Sequence, residues 1–378
     1  MNTERLLDQL RALGLRIKFG REALGLSQKE LTEQMGFADR QTLSAIENAE
    51  RQIQPEELVK FSELLGRSVE WFLDPFVVAG EGEFSWRVSR DMNETDLRDF
   101  EERSGLLVGL LRFLRISNSH RFDPLASSLR LGVGSSYEQA TAVGEAVAAK
   151  LELGRVPAAT LVEKIEEALE IPVLFVESNG HGDRVSGAMC RLPDLGVILI
   201  NRRESAPCRS FDAAHELFHA LTWDAMKPEH IESSEPSHSE RGGKSTHARI
   251  ERLADSFAAG LLMPKPAIDR VFDPNRAADI NHLVEVATVL QVSPTSLGYR
   301  LLNAGLISKE ACSALKTRIT DDSSPTPKLF SRKFAEQLHD GIAAGHVSSL
   351  KAAKALKMTL DEMADLLREH GLEAPFRH

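Results

Sequence analysis

The sequence predicts an α+β chain that is mostly helical: an all-α N-terminal domain, a central domain with a small β-sheet, and a helical C-terminal tail. Three observations carry that expectation. Short, capped helical windows follow one another through residues 1–76. Three runs rich in β-branched residues, 171–176, 185–190 and 196–201, stand close together at mid-chain. Directly after them comes an amphipathic helix, Ser210–Trp223, containing His215-Glu216-Leu217-Phe218-His219.

With 378 residues the chain is long enough for two or three domains, each with its own core. Its 42% hydrophobic and 27% charged content is that of an ordinary globular protein. No signal-type segment follows Met1, and no apolar run reaches the roughly 18 residues of a membrane helix, so a cytoplasmic protein with no membrane partner is expected. Cys190, Cys208 and Cys312 are isolated, which points to free thiols in a reducing compartment. Cys208, seven residues before His215, reads as an inert buried thiol rather than a metal ligand. The net charge of −10 gives no general attraction to nucleic acid, so any DNA contact must come from a local surface.

Taking the elements in order, a first helix runs through Leu6, Leu10, Leu13 and Ile17 to Ala23. Ser27 caps a second, which Gly36 ends; a third spans Asp39–Asn48; Pro55–Leu65 and Val69–Leu73 close the core. Two short helices about a glycine turn, the second opening with Arg, Gln and Thr, have the form of a helix-turn-helix. The stretches GLSQKELTEQMGF and RQTLSAIENAER resemble the XRE (Cro/repressor-like) family, over roughly residues 10–75. That resemblance implies a double-stranded DNA operator, read by a homodimer through a recognition helix starting near Arg40. Arg40 would read guanine, Gln41 adenine, and Thr42 and Ser44 bases or phosphates. Gln28, Lys18 and Arg21 would contact the DNA backbone. Residues 1–75 carry 10 Lys and Arg against 13 Asp and Glu, so a protein-docking module that has lost its DNA site is the competing reading.

Domain boundaries follow from composition. Residues 1–78 form the first domain, and 79–134 a linker with an interdomain or dimer-forming helix rich in leucine at 96–116. In that linker Phe84–Arg87 is a short extended piece. The central domain occupies 135–306: two helices (140–151 and 159–169), then the strands, of which the one ending near Asn201 is expected at the edge of a substrate cleft. A linker (307–327) and a small helical domain (328–378) follow, the latter either a second helix-turn-helix or an oligomerisation unit.

The chemistry centres on the H-E-x-x-H. Residues i and i+4 lie on one helix face, so His215 and His219 aim at one point, as Zn²⁺ requires. Glu216 is their neighbour that can take a proton from an attacking water. On the next helix-like run, Arg249–Pro264, Glu251 supplies a carboxylate ligand and Asp255 orients a ligand histidine. In a polar stretch between the helices, His230, His238 and His247 are rival ligands. There too, Gly242–Thr246 is not a phosphate loop, because His238 stands where its first glycine belongs. FDAAHELFH followed by ERLADSFAAGLLMP resembles the ImmA/IrrE family of gluzincin-like metallopeptidases, and VSPTSLGYRLLNAGLI resembles that family's end. The resemblance covers about 135–306 and implies a zincin-like fold with one Zn²⁺ per chain, Mn²⁺ being the other ion such a site accepts. It also implies cleavage of a specific protein target (a repressor, a partner or this chain itself) on a stress or ligand signal. Tyr299, Arg300 and His282 are candidate donors to the oxyanion. Two alternatives are a non-catalytic transcription factor whose metal domain senses a ligand or metal, and an antitoxin-like repressor docking a partner protein.

Overall fold

A computed structural model of the chain describes residues 2–89, 92–117, 129–177, 185–233, 245–318 and 324–377. Five helices open it: α1 (Asn2–Ala23), α2 (Gln28–Met35), α3 (Arg40–Glu47), α4 (Pro55–Leu65) and α5 (Val69–Leu73). Ser27 accepts the Glu30 N–H while the Glu30 carboxylate accepts the Ser27 N–H, starting α2 with both ends of the box satisfied. Gly36, at φ 72°, then takes the left-handed turn that ends it, and Asp39 caps α3. Ile17, Leu31, Leu43, Ile46, Phe61 and Phe72 are the buried core of this unit.

The rest is built on one mixed sheet. Its strands are β1 (Glu83–Val88), β2 (Val173–Val176), β3 (Val185–Arg191), β4 (Gly196–Asn201) and β5 (Ile231–Ser233), in the order β2-β4-β3-β1-β5. β3 is antiparallel to both β1 and β4, while β2 runs parallel to β4 and β5 to β1. Because side chains alternate across a strand, the sheet feeds two cores. Val173, Met189, Ile198 and Ile200 face α7 (Tyr137–Lys150), α8 (Pro157–Ala168), α9 (Ala206–Thr222) and α10 (Thr246–Leu262). Trp86, Leu174, Cys190 and Leu199 face α6 (Glu94–Ser117). The first layer is completed by α11 (Lys265–Val271), α12 (Ile280–Leu290), α13 (Pro294–Asn303) and α14 (Lys309–Leu315).

Several expectations change. The extended piece at Phe84–Arg87 is no linker: it pairs along β3 and joins the sheet through backbone bonds that composition does not reveal. β4 is an interior strand between β2 and β3, not the edge of a cleft. The leucines of α6 are covered within the chain, so they offer no apolar face to a dimer. Its cover comes from α15 (Arg332–Ala343), α16 (Ser349–Leu356) and α17 (Leu360–Glu369), whose Phe334, Leu338, Ala352, Met363 and Leu367 share its core. The tail is therefore part of the central body. It does turn like a helix-turn-helix, with Lys357 left-handed at φ 54° between α16 and α17. Yet α17 exposes Asp361, Glu362, Asp365 and Glu369, a face that repels phosphates.

The N-terminal unit is tied to this body by Arg16. From the buried side of α1 it donates to the Phe72 and Val77 carbonyls at 2.7 and 2.6 Å, so the stretch leading into β1 is held against the helix.

Candidate metal centre and its surroundings

α9 begins four residues earlier than periodicity suggested. Ser205 occupies the cap and Pro207 the first turn, where its fixed φ suits a helix start. Ser210 and Asp212 consequently lie inside the helix. The early start adds a turn to the side of α9 that carries His215 and His219.

His215, Glu216 and His219 are fully buried, and Glu251 of α10 meets them from the facing helix. The donor atoms of His215, His219 and Glu251 all lie within 4.8 Å of one another. The two Nε2 atoms are 3.1 Å apart, and the Glu251 carboxylate is 3.3 Å from His215 Nε2 and 3.6 Å from His219 Nε2. Ligands bound at 2.0–2.2 Å around a tetrahedral ion sit about 3.4 Å from each other, so the three residues fit Zn²⁺. Two imidazole nitrogens at this separation also need a proton or a cation between them. Asp255 accepts from His215 Nδ1 at 3.1 Å, which turns the ring's Nε2 lone pair toward the other two donors. Glu216 stands beside this group under β3, its Cγ 3.7 Å from the place a side chain at Gly187 would start.

Of the rival histidines, His230 contacts the Glu101 carboxylate at 2.6 Å and His247 that of Glu229 at 3.4 Å; neither joins the group. His238 lies outside the described residues. The oxyanion candidates separate as well. His282 Nε2 accepts the Asp273 N–H at 3.0 Å and the ring stacks on Phe272, a structural task away from the centre. Arg300 is spent on Glu145 and the Met263 carbonyl. Tyr299 lines a cavity beside the centre, with the Lys316 ammonium 4.7 Å from its ring centroid.

That cavity exposes what sequence reasoning missed. Arg87 of β1, 7% exposed, enters it and lies 3.2 Å from Asp212. Burial alone would lower its pKa, but Asp212, Asp255, Glu216 and Glu251 more than offset that and hold it raised. The available signal was alternation: Phe84, Trp86 and Val88 take one face of β1, which puts an arginine on the other. Glu204 lines the cavity with Asp212 and Ser186, and burial, with the Asp212 charge beside it, pushes its pKa up to about 8. Cys208 is exposed at this cavity and is not the buried thiol expected.

A raised carboxyl pKa has a fixed sign. The folded protein holds the Glu204 proton more tightly than the unfolded chain, so stability falls as pH climbs from about 4.5 toward 8. Glu204→Gln removes this titration. Its melting temperature is expected to gain on the parent across that range; a difference independent of pH would show that Glu204 is ionised throughout.

On the DNA-reading unit, Arg40 and Gln41 are exposed on the first turn of α3, and Lys18 is exposed on α1. Thr42 is half-buried, and its hydroxyl donates to Asp39 at 3.1 Å. Ser44, also half-buried, makes a long contact of 3.5 Å with the Asn48 amide. Two residues are corrected. Arg21 is buried, bonding Glu47 at 2.7 Å and the Leu26 carbonyl at 2.8 Å, and has no charge to offer a phosphate. Gln28 donates its amide to the same Glu47 at 2.8 Å. Both serve the junction of α1, α2 and α3.

A helix-turn-helix unit beside a buried His-Glu-His group on two helices defines the class: a DNA-reading module joined to a metallopeptidase-like domain. Residues 17–72 match the helix-turn-helix family model, and residues 166–302 match the M78 peptidase model, described as the IrrE N-terminal-like domain. The chain thus fuses an XRE-type segment to an ImmA/IrrE-type domain. Comparison with curated proteins gives no match. Among the described residues, no helix is long and apolar enough to cross a membrane.

Proposed function

We propose that this DNA-binding regulator is also a zinc-dependent endopeptidase that cleaves a specific protein target on a stress or ligand signal. The observation carrying this reading is the His215–His219–Glu251 group with Glu216 buried alongside it. His215, His219 and Glu251 would hold the ion, with Asp255 fixing the His215 ring. When bound, the ion supplies Lewis-acid polarisation of the scissile carbonyl and lowers the pKa of the attacking water. Glu216 takes the proton of that water and passes it to the leaving amine. A site that only sensed metal would have no use for a fourth, acidic side chain at this point.

His219→Ala removes one of three ligands and is expected to strip the ion from purified protein, read by elemental analysis after dialysis. Full stoichiometry in the variant would remove the assignment.

For the DNA reader, the exposure of Arg40 and Gln41 on the first turn of α3 supports their reading of base edges. A bidentate arginine–guanine contact is worth about 1–3 kcal/mol of discrimination. Arg40→Ala should therefore flatten the preference for the chain's own promoter over random duplex, while Lys18→Ala weakens both alike and lowers the salt slope. Equal preference in Arg40→Ala and the parent would return the module to protein docking.

A further inference from the structure

The cavity beside the metal group has a volume of about 510 Å³, room for more than a water cluster. It starts where the centre ends. Asp255 forms part of its wall and also holds His215, while Asp212 lies three residues before His215 on α9, about 4.5 Å along the helix. A polypeptide lying with a peptide bond at His215, His219 and Glu251 would have the neighbouring side chain at the cavity's mouth.

The walls carry a sign. Two cations line them, and each faces a carboxylate: Arg87 with Asp212, and Arg300 with Glu145. Asp255, held to His215, and the carboxyl of Glu204 add two acids to the wall beyond those pairs. The remaining lining is hydroxyl-rich, with two rings, Phe211 and Tyr299. Both rings already attract cations, Arg87 at 5.8 Å from the Phe211 centroid and Lys316 at 4.7 Å from that of Tyr299. We propose that this cavity is a specificity pocket that receives a basic side chain, lysine or arginine, next to the bond presented to the metal group. The inference rests on the peptidase reading above and names its substrate class.

Glu204 is the residue that selects. Its carboxyl lines the cavity together with that of Asp212. An ammonium or guanidinium entering the cavity meets both groups and forms charge-assisted bonds to them, the Glu204 proton leaving to solvent. A neutral aliphatic side chain would leave the two acids facing each other and bury the hydroxyls against carbon.

The test has two arms on the full-length protein. In the first, the zinc-loaded chain digests a peptide library with one position randomised beside each bond. Lysine or arginine should be enriched next to the cleaved bond, and Glu204→Gln should cut that preference by about tenfold or more. Cleavage with apolar or no preference overturns the pocket and leaves the peptidase standing; no cleavage by metal-loaded protein overturns the peptidase reading itself. The second arm needs no activity: metal-free protein is titrated calorimetrically with n-butylguanidinium and, separately, n-hexanol. Saturable binding of the cation, stronger than that of the alcohol and weakened in Glu204→Gln, supports the pocket. Absent binding, or equal binding of both probes, overturns it. Should Glu204→Gln fail to fold, Tyr299→Leu removes a ring from the wall and should weaken the cation selectively.

Discussion

Glu216→Gln is expected to abolish cleavage while the protein keeps its ion and its fold. Glutamine has the same length and still hydrogen-bonds, so the packing of this fully buried side chain under β3 is preserved. What is lost is the ability to take a proton. General-base catalysis is worth roughly 10²–10⁴-fold, so a target that is cut within minutes by the parent should survive for hours or longer. The comparison is made in the same induced cells, following both target fragments and promoter output, with metal content measured on the purified proteins. If the variant regulates its promoter like the parent and neither produces fragments, the domain is a sensor. If the ion is lost with the substitution, Glu216 belongs among the ligands instead.

Arg87→Met should be the most destabilising single change near the site. The guanidinium is buried between Asp212 and, at longer range, Asp255, Glu216 and Glu251, all of which hold its charge in place. Methionine fills the volume but leaves those carboxylates with no compensating cation. Breaking one side of a buried pair costs about 3–5 kcal/mol, a large share of a domain's stability. Urea unfolding gives the measurement. Adding Asp212→Asn to the same chain should recover much of the loss, because the uncompensated charge disappears with it, and the double-mutant cycle isolates the pair. A loss under about 1 kcal/mol in Arg87→Met would mean that water reaches the cluster and screens it.

How far the chain could be read from residues alone depends on whether the relevant spacing is local. The His215–His219 pair is set by helix periodicity, and Glu216 by its place next to His215. Glu251 and Asp255 share one edge of a second helix for the same reason, so all five were legible. The caps at Ser27 and Gly36 were equally plain, since each acts within four residues.

Where pairing runs over long sequence distances, the reading failed. β1 lies about 100 residues before its partner β3, and nothing in Glu83–Val88 says which strand its backbone will meet. The same gap hid Arg87, which acquires its role only when the strand brings it over Asp212. Arg21 and Gln28 looked like phosphate ligands because their residue types suit that task; Glu47, brought across by the packing of α3 on α1, claims both. His282 resembled a donor until the turn at Asp273 supplied its hydrogen bond. The sequence by itself determined most of the helices, the caps around α2 and the His-Glu-His constellation, all encoded in a few neighbouring residues. Only the tertiary structure decided which polar groups remain available for chemistry. A charge or donor is committed by the nearest partner in space, and that partner comes from the fold.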